Sequence, residues 1–157
     1  CNMGHGKLFD YIESLANFHG QSTDPSLVLH QLWNNFFDFS SPDAMYLHFC
    51  TSQGAIHTKN SLKDYPDDRK KRIRVIGIAP GAYVPDNMCH SVQNYEAEWY
   101  RDLVPRFDIS GRRKYLHTIE VVPSHPMAPL HDHSFSSPTF EVYIQREITN
   151  YYRMMRK

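Results

Sequence analysis

The chain has 157 residues, enough for one domain with a hydrophobic core, and its 41% hydrophobic and 13% aromatic content is not that of a disordered protein. Its 17 Lys and Arg balance 17 Asp and Glu, which argues against a nucleic-acid-binding surface or a polybasic membrane surface. No apolar run approaches the roughly 20 residues needed to span a bilayer. Because the sequence begins with Cys1 rather than Met, we expect it to be part of a longer protein.

Predicted helices and strands alternate along the chain. The sequence pattern predicts helices over 7–18 and 24–39. The second helix begins with Asp24-Pro25, a capping residue followed by proline. Further predicted elements are a strand at 45–49, a helix between Gly54 and Pro66, a strand at 73–80, a helix over 91–104, a strand at 118–122 and a helix from Ser137 onward. The β-branched run at 73–80 is typical of a central strand covered on both faces. This alternation predicts an α/β domain with a mostly parallel sheet and flanking helices.

The turn between the first predicted strand and the next helix has Ser52 at its centre. A strand, a tight turn with a serine and a helix form the context of the nucleophile elbow G-x-S-x-G, which presents the hydroxyl above the sheet. Here Cys50 replaces the first glycine, and we expect Gly54 to let strand and helix approach closely. The backbone N–H of Gln53 is the expected oxyanion donor. The alternative is an ordinary turn in which a hydroxyl side chain caps the helix.

A nucleophilic serine needs a base, which in this type of site is a histidine in the loop after the last strand. His133 is the preferred base because it lies closest to the final helix, although His125 and His131 share its loop. The acid is predicted at Asp86, in the loop after the second predicted strand, a position that some lipases use. Asp132 is poorly placed for this role because it is adjacent to His133. Each of these carboxylates is equally typical of a solvated loop.

The same histidine-rich loop has a second interpretation as a metal site. Two or three histidines with a carboxylate suit zinc, and the candidates are His125, His131, Asp132 and His133. The sequence supplies no second cluster of ligands, so we rank this interpretation below the triad. The cysteines Cys1, Cys50 and Cys89 are odd in number and lack the spacing of metal ligands, so we predict no metal, and reduced thiols typical of an intracellular setting.

Three sequence blocks resemble an uncharacterised family of chlamydial proteins. They are HFCTSQGAIH from His48, IRVIGIAPGAY from Ile73 and HDHSFSSPTF from His131. Members of this family resemble divergent α/β-hydrolases with a Ser-Gln-Gly elbow, and the similarity runs from Asn2 to about Tyr152. The resemblance implies that Ser52 is the elbow serine and His133 the histidine of the terminal loop.

These observations predict a single α/β-hydrolase-like domain over residues 1–157. Since only three strands are visible in the sequence, we expect it to be the C-terminal portion of that fold, without its N-terminal strands. The leading hypothesis is a serine hydrolase, an esterase or lipase type of enzyme that needs no cofactor and acts on a small-molecule ester or acyl substrate. The alternative is a hydrolase-like fold without catalysis that acts as a binding or host-interaction module. The replacement by Cys50 and the lack of an acid after the third predicted strand favour this alternative.

Overall fold

The computed structural model describes residues 24–156, within which four parallel strands form one sheet. The elements are α1 (Asp24–Phe39), β1 (Tyr46–Ser52), α2 (Gln53–Asp64), α3 (Asp67–Lys70), β2 (Ile73–Pro80), β3 (Ser91–Ala97), α4 (Ile109–Lys114), β4 (Ile119–Val122) and α5 (Pro138–Met155). The strands lie in the order β1-β2-β3-β4, and each pair of neighbours is parallel. The prediction of an α/β class with a parallel sheet and flanking helices is confirmed.

Most of the predicted elements occur at the expected places. The strand at 73–80 and the helix at 24–39 have the predicted bounds, and β1 extends three residues further than predicted, to Ser52. The short helices α3 and α4 lie in segments for which no element was predicted. The predicted helix at 7–18 lies outside the described residues. Of the helices between residues 24 and 156, none combines the length and the apolar character needed to cross a membrane.

The prediction of a helix over 91–104 is wrong, because this segment contains the strand β3 and an irregular connection. Polar residues misled the prediction, since Asn94 and Glu96 are buried in β3 beside apolar neighbours. Their polar groups find partners that are distant in sequence. Asn94 Nδ2 donates to Thr118 Oγ1 at 2.9 Å, and Glu96 Oε2 accepts from Arg112 Nε at 3.1 Å. The chain therefore has a third strand where the sequence pattern suggested an amphipathic helix.

Helices cover both faces of the sheet. On one face, Trp33 and Phe37 of α1 pack in one cluster with Ile73 and Val75 of β2. On the other face, Phe140 of α5 belongs to a cluster that includes the opposite side of the same strand. Every residue of β2 from Val75 to Pro80 is buried, which confirms the prediction of a central strand covered on both faces.

The helix α5 runs back along the sheet, antiparallel to the strands. Near its C-terminal end, Tyr151 Oη donates to the carbonyl of Met45, just before β1. In its middle, the buried Glu147 accepts from Arg74 Nη2 and from Tyr95 Oη, both at 2.6 Å. These contacts place the start of α5, and the loop that precedes it, at the carboxyl edge of the sheet. Sites in open parallel sheets form at this edge.

Candidate active site

Ser52 ends β1 at the carboxyl edge of the sheet, and α2 begins at the next residue. Its backbone has φ 50° and ψ −128°, a conformation that costs a residue other than glycine on the order of 1–3 kcal/mol. Neither alternative cap is formed, because Ser52 makes no side-chain capping bond and Thr51 Oγ1 is buried without a partner among the described residues. A strained serine between strand and helix is the geometry of a nucleophile elbow.

The end of β2 holds the elbow in place. Gly81 N donates to the carbonyl oxygen of Ser52 at 2.9 Å, and a Cβ added at Gly81 would lie 2.8 Å from that oxygen. A side chain at this position would therefore displace the turn. A Cβ at Gly54, in contrast, would meet no described atom within 4 Å. The expectation that Gly54 provides the close approach is wrong, because the tight contact lies across the sheet at Gly81.

Cys50, which stands in place of the first glycine of the elbow pattern, is part of the core. Its side chain is buried against α1 and α2, and Sγ lies 3.7 Å from the carbonyl oxygen of Ile76. Burial raises the pKa of the Cys50 thiol to about 12, so the thiolate is scarce at neutral pH. The residue therefore fills space beneath the turn and is not a competing nucleophile.

His133 lies in the loop between β4 and α5, and its Nδ1 is 2.8 Å from Oδ2 of Asp102. Asp102 follows β3 and is only 5% exposed. Its other oxygen accepts from the backbone N–H of Val104 at 3.0 Å, which fixes the carboxylate. The two loops are also joined beside this pair, because Asp132 N donates to the carbonyl of Arg101 at 2.9 Å. The histidine is thus held by a buried carboxylate on the neighbouring loop.

The second ring nitrogen of His133, Nε2, is buried and has no hydrogen-bond partner within residues 24–156. In a Ser-His-acid relay the acid bonds to one ring nitrogen, and the other takes the proton of the serine. The loop of His133 returns from β4 towards β1, since the ring of Phe135 packs on Phe49 with centroids 6.1 Å apart. Ser52 makes no hydrogen bond to His133 in the described structure, a bond that is often long in free enzymes.

Gln53, the predicted oxyanion donor, is the first residue of α2. The first four N–H groups of a helix have no partner inside it, and partial positive charge gathers there. The Gln53 N–H therefore belongs to a group of donors at the elbow that could stabilise a developing oxyanion.

The structure does not bring the predicted acid, Asp86, to His133. Asp86 Oδ2 instead lies 2.7 Å from Nε2 of His117, and both side chains are exposed. With Ser91 they line an open cavity of about 510 Å³ beside the starts of β3 and β4, at the opposite edge of the sheet. Asp102 takes the position at His133 that was predicted for Asp86. The sequence signal for Asp102 is its place after a strand, and the helix predicted over 91–104 conceals that strand.

Two other side chains of the histidine-rich loop contact the loop itself and the start of α5. Asp132 is fully buried and accepts from Thr139 Oγ1 at 2.5 Å, and His125 Nδ1 accepts from the N–H of Met127 at 3.1 Å. Within the part of the chain that the structure describes, no three His, Cys, Asp or Glu side chains are grouped in a way that could hold a metal ion. The four candidate zinc ligands are thus not assembled as one set.

Comparisons of the chain with protein-family models, with curated proteins and with solved structures found no match. The resemblance to the chlamydial family stays a prediction. The geometry of Ser52, Asp102 and His133 is therefore the basis for a proposed function.

Proposed function

We propose that this chain is a serine hydrolase that cleaves a carboxylic ester or a related acyl substrate. Residues 1–157 would then be a single domain, equivalent to the C-terminal portion of an α/β-hydrolase fold. The observation that carries the proposal is the ring of His133, with one nitrogen on the buried carboxylate of Asp102 and the other buried and unpaired within residues 24–156. The strained turn at Ser52 and the chain order serine, acid, histidine support it.

In the proposed reaction, Ser52 Oγ attacks the carbonyl carbon of the substrate while His133 Nε2 takes its proton. The carboxylate of Asp102 stabilises the imidazolium that forms, and the Gln53 N–H donates to the oxyanion. Collapse of the tetrahedral intermediate expels the alcohol, which receives the proton from Nε2. A water molecule then attacks the acyl-serine and gives a proton to His133 Nε2, which returns it to the departing Ser52 Oγ as the carboxylic acid is released.

Labelling with a fluorophosphonate probe, followed by intact mass, tests the proposal. We expect a single adduct on the folded chain and its loss in Ser52→Ala. Ser134→Ala is the matched control, because this exposed serine is adjacent to the base and should not affect labelling. A folded chain that forms no adduct, or an adduct that persists in Ser52→Ala, would overturn the assignment of Ser52 as nucleophile.

A second candidate function is a hydrolase-like fold that binds a ligand without cleaving it. The observation that favours it is the lack of a hydrogen bond between Ser52 and His133 in the described structure. Without that bond the hydroxyl of Ser52 is not activated. Under this hypothesis the probe leaves the serine unmodified while near-UV circular dichroism shows a fixed tertiary structure.

A further inference from the structure

The two loops that carry Asp102 and His133 also carry most of the exposed apolar side chains at the carboxyl edge of the sheet. Six of them form what we call the apolar rim: Trp99, Tyr100, Leu103, Phe107, Met127 and Leu130. Each is exposed by between 59% (Leu103) and 80% (Met127) of its surface. Exposed apolar residues scattered singly need no explanation, but a concentration of large ones beside a candidate site marks a surface that meets a partner or a substrate.

Hydrogen bonds from the Arg101 side chain bring the two loops that carry the apolar rim together. Arg101 Nη2 donates to the carbonyls of Ala128 and Pro129 at 3.2 and 3.0 Å. Arg101 adjoins Tyr100 in sequence, while the two carbonyls lie between Met127 and Leu130. The part of the rim around Tyr100 therefore lies beside the part around Met127 and Leu130, and the Asp102–His133 pair lies in the same two loops.

In the segment that carries most of the rim, the acidic side chains are buried or hydrogen-bonded, whereas several basic side chains are exposed. Between residues 98 and 114 the sequence has five basic and three acidic residues. Asp102 and Asp108 are buried, and the third acid, Glu98, accepts from the backbone N–H of Ser124. The basic side chains of Arg106, Arg113 and Lys114 are exposed. The exposed charge of residues 98–114 is thus mainly basic, and Arg106 lies in the rim segment between Leu103 and Phe107, although the net charge of the whole chain is zero.

We infer that the apolar rim docks on an anionic lipid surface, and that the substrate of the site is an acyl ester of a lipid in that surface. Trp and Tyr favour the boundary between lipid and water, Leu and Phe enter the acyl region, and basic residues contact the phosphates. A protein bound to the rim would cover the site, whereas a lipid surface supplies the substrate at it. The choice of substrate, and of a lipid surface rather than a protein as the occupant, rests on the proposed function, but the exposure of the rim does not.

Vesicle co-sedimentation of the full chain tests the docking. All proteins carry Ser52→Ala, so that hydrolysis cannot change the lipid, and the vesicles contain phosphatidylcholine alone or with 30% phosphatidylglycerol. We expect binding to the anionic vesicles and a loss of about tenfold in the partition coefficient for Phe107→Ser or Trp99→Ser, the size of effect given by one large apolar side chain. The matched control is Phe39→Ser, because Phe39 is 91% exposed at the end of α1, away from the rim.

Vesicle binding and fluorophosphonate labelling test the docking proposal and the hydrolase proposal separately. Sedimentation with neither vesicle, equal binding to both, or an equal loss in Phe39→Ser and Phe107→Ser would overturn the docking proposal. Thermal melts of each variant ensure that the loss is not unfolding. Fluorophosphonate labelling of the chain without lipid, with Ser52 intact, reports on the hydrolase proposal separately. Docking without labelling would indicate a lipid-binding module that is not a serine hydrolase. Labelling without docking would indicate an esterase that acts on soluble substrates.

Discussion

Two aspartates of the described chain hydrogen-bond to histidine side chains, and their surroundings differ. Asp102 is buried, as is the free nitrogen of its partner His133. Asp86 and His117 are both exposed, so water screens their interaction. A charge interaction is stronger where water is excluded, because the effective dielectric constant is lower. The first pair is therefore suited to stabilise an imidazolium during a reaction, and the second is not.

Replacement of either aspartate by asparagine distinguishes these roles. We expect Asp102→Asn to reduce the rate of fluorophosphonate labelling by roughly 100-fold or more, because the amide neither holds the ring in the required tautomer nor stabilises its charge. Asp86→Asn should change the rate by less than about twofold, since surface pairs contribute little. The measurement is the second-order rate constant of labelling. Equal effects of the two substitutions would contradict the assignment of Asp102.

A pair of glycines allows a similar comparison for the elbow. Gly81→Ala places a Cβ against the carbonyl of Ser52, and we expect it to lower the free energy of unfolding by about 1–3 kcal/mol and to slow labelling. Gly54→Ala adds the same atom in open space in the first turn of α2, so stability should be unchanged or higher. Urea denaturation of both variants measures the difference. If Gly81→Ala left the free energy of unfolding unchanged, the turn would be able to move away from the added Cβ at little energetic cost.

At the scale of elements, a buried chain of hydrogen bonds ties β1 to α2. Thr58 Oγ1 donates to the carbonyl of Gly54 at 2.8 Å and lies 2.9 Å from Nε2 of His48. Because the hydroxyl proton is used at Gly54, the ring of His48 donates to Thr58. Burial lowers the pKa of His48 to about 4, which keeps the ring neutral at physiological pH. The strand and helix that flank Ser52 are thus joined by a histidine that resists protonation.

This histidine gives a pH dependence with a definite sign. The unfolded chain protonates His48 near pH 6.5 and the folded chain near pH 4, so in this window the unfolded state binds more protons. The free energy of unfolding should therefore fall as pH decreases from 6.5 to 4, by about 3 kcal/mol, and this contribution should stay constant below pH 4. Urea denaturation across pH 4 to 7 measures the slope. His48→Gln, which keeps a donor for Thr58, should reduce it, and an unchanged slope would assign the effect to other groups.

The strand β3, which the sequence pattern does not predict, precedes the acid of the candidate site. The helix α1 and the strand β2 could be predicted because their apolar residues repeat regularly or form a continuous run. The strand β3 could not, since it buries Asn94 and Glu96, whose partners, Thr118 and Arg112, are far away along the chain. Periodicity in one sequence contains no information on such partners.

The candidate site could be predicted in part for the same reason. The positions of Ser52 and His133 follow from local signals, namely a strand-to-helix turn and a loop before the last helix. Asp102 depends on the existence of β3, and the role of Gly81 depends on the pairing of β1 with β2. Both depend on contacts between segments that are distant in sequence, so a local sequence pattern could not predict them.

For the molecule as a whole, the sheet separates two hydrophobic clusters that share β2. Trp33 and Leu62 belong to the cluster on one face, and Phe140 belongs to the cluster on the other. Disruption of either cluster would expose one side of β2, but only loss of both would expose it fully. The central strand is therefore expected to be the last part of the described chain to open.

Hydrogen exchange tests this expectation. Amides of β2 should exchange most slowly, at the rate set by global unfolding, because the strand pairs on both edges and is covered on both faces. Amides of residues 98–107, which form an irregular connection with exposed side chains, should exchange fastest among the described residues between β2 and β4. Mass spectrometry of peptic peptides measures both. Faster exchange in β2 than in β4 would contradict a shared central strand.

The bonds around the candidate site divide it into two rigid units. The pairing of β1 with β2 and the N–H of Gly81 fix Ser52 to the sheet, while Asp102 and His133 are fixed to each other and by the bond between Asp132 and Arg101. Three distances relate Ser52, Asp102 and His133 to one another. The distance between Asp102 and His133 is already set by the hydrogen bond that joins them. The two remaining distances, from Ser52 to the base and from Ser52 to the acid, both depend on where the Asp102–His133 pair lies relative to the elbow. Substitutions in the two loops that carry this pair are therefore the way to change its placement relative to Ser52 while the pairing of β1 with β2 is kept.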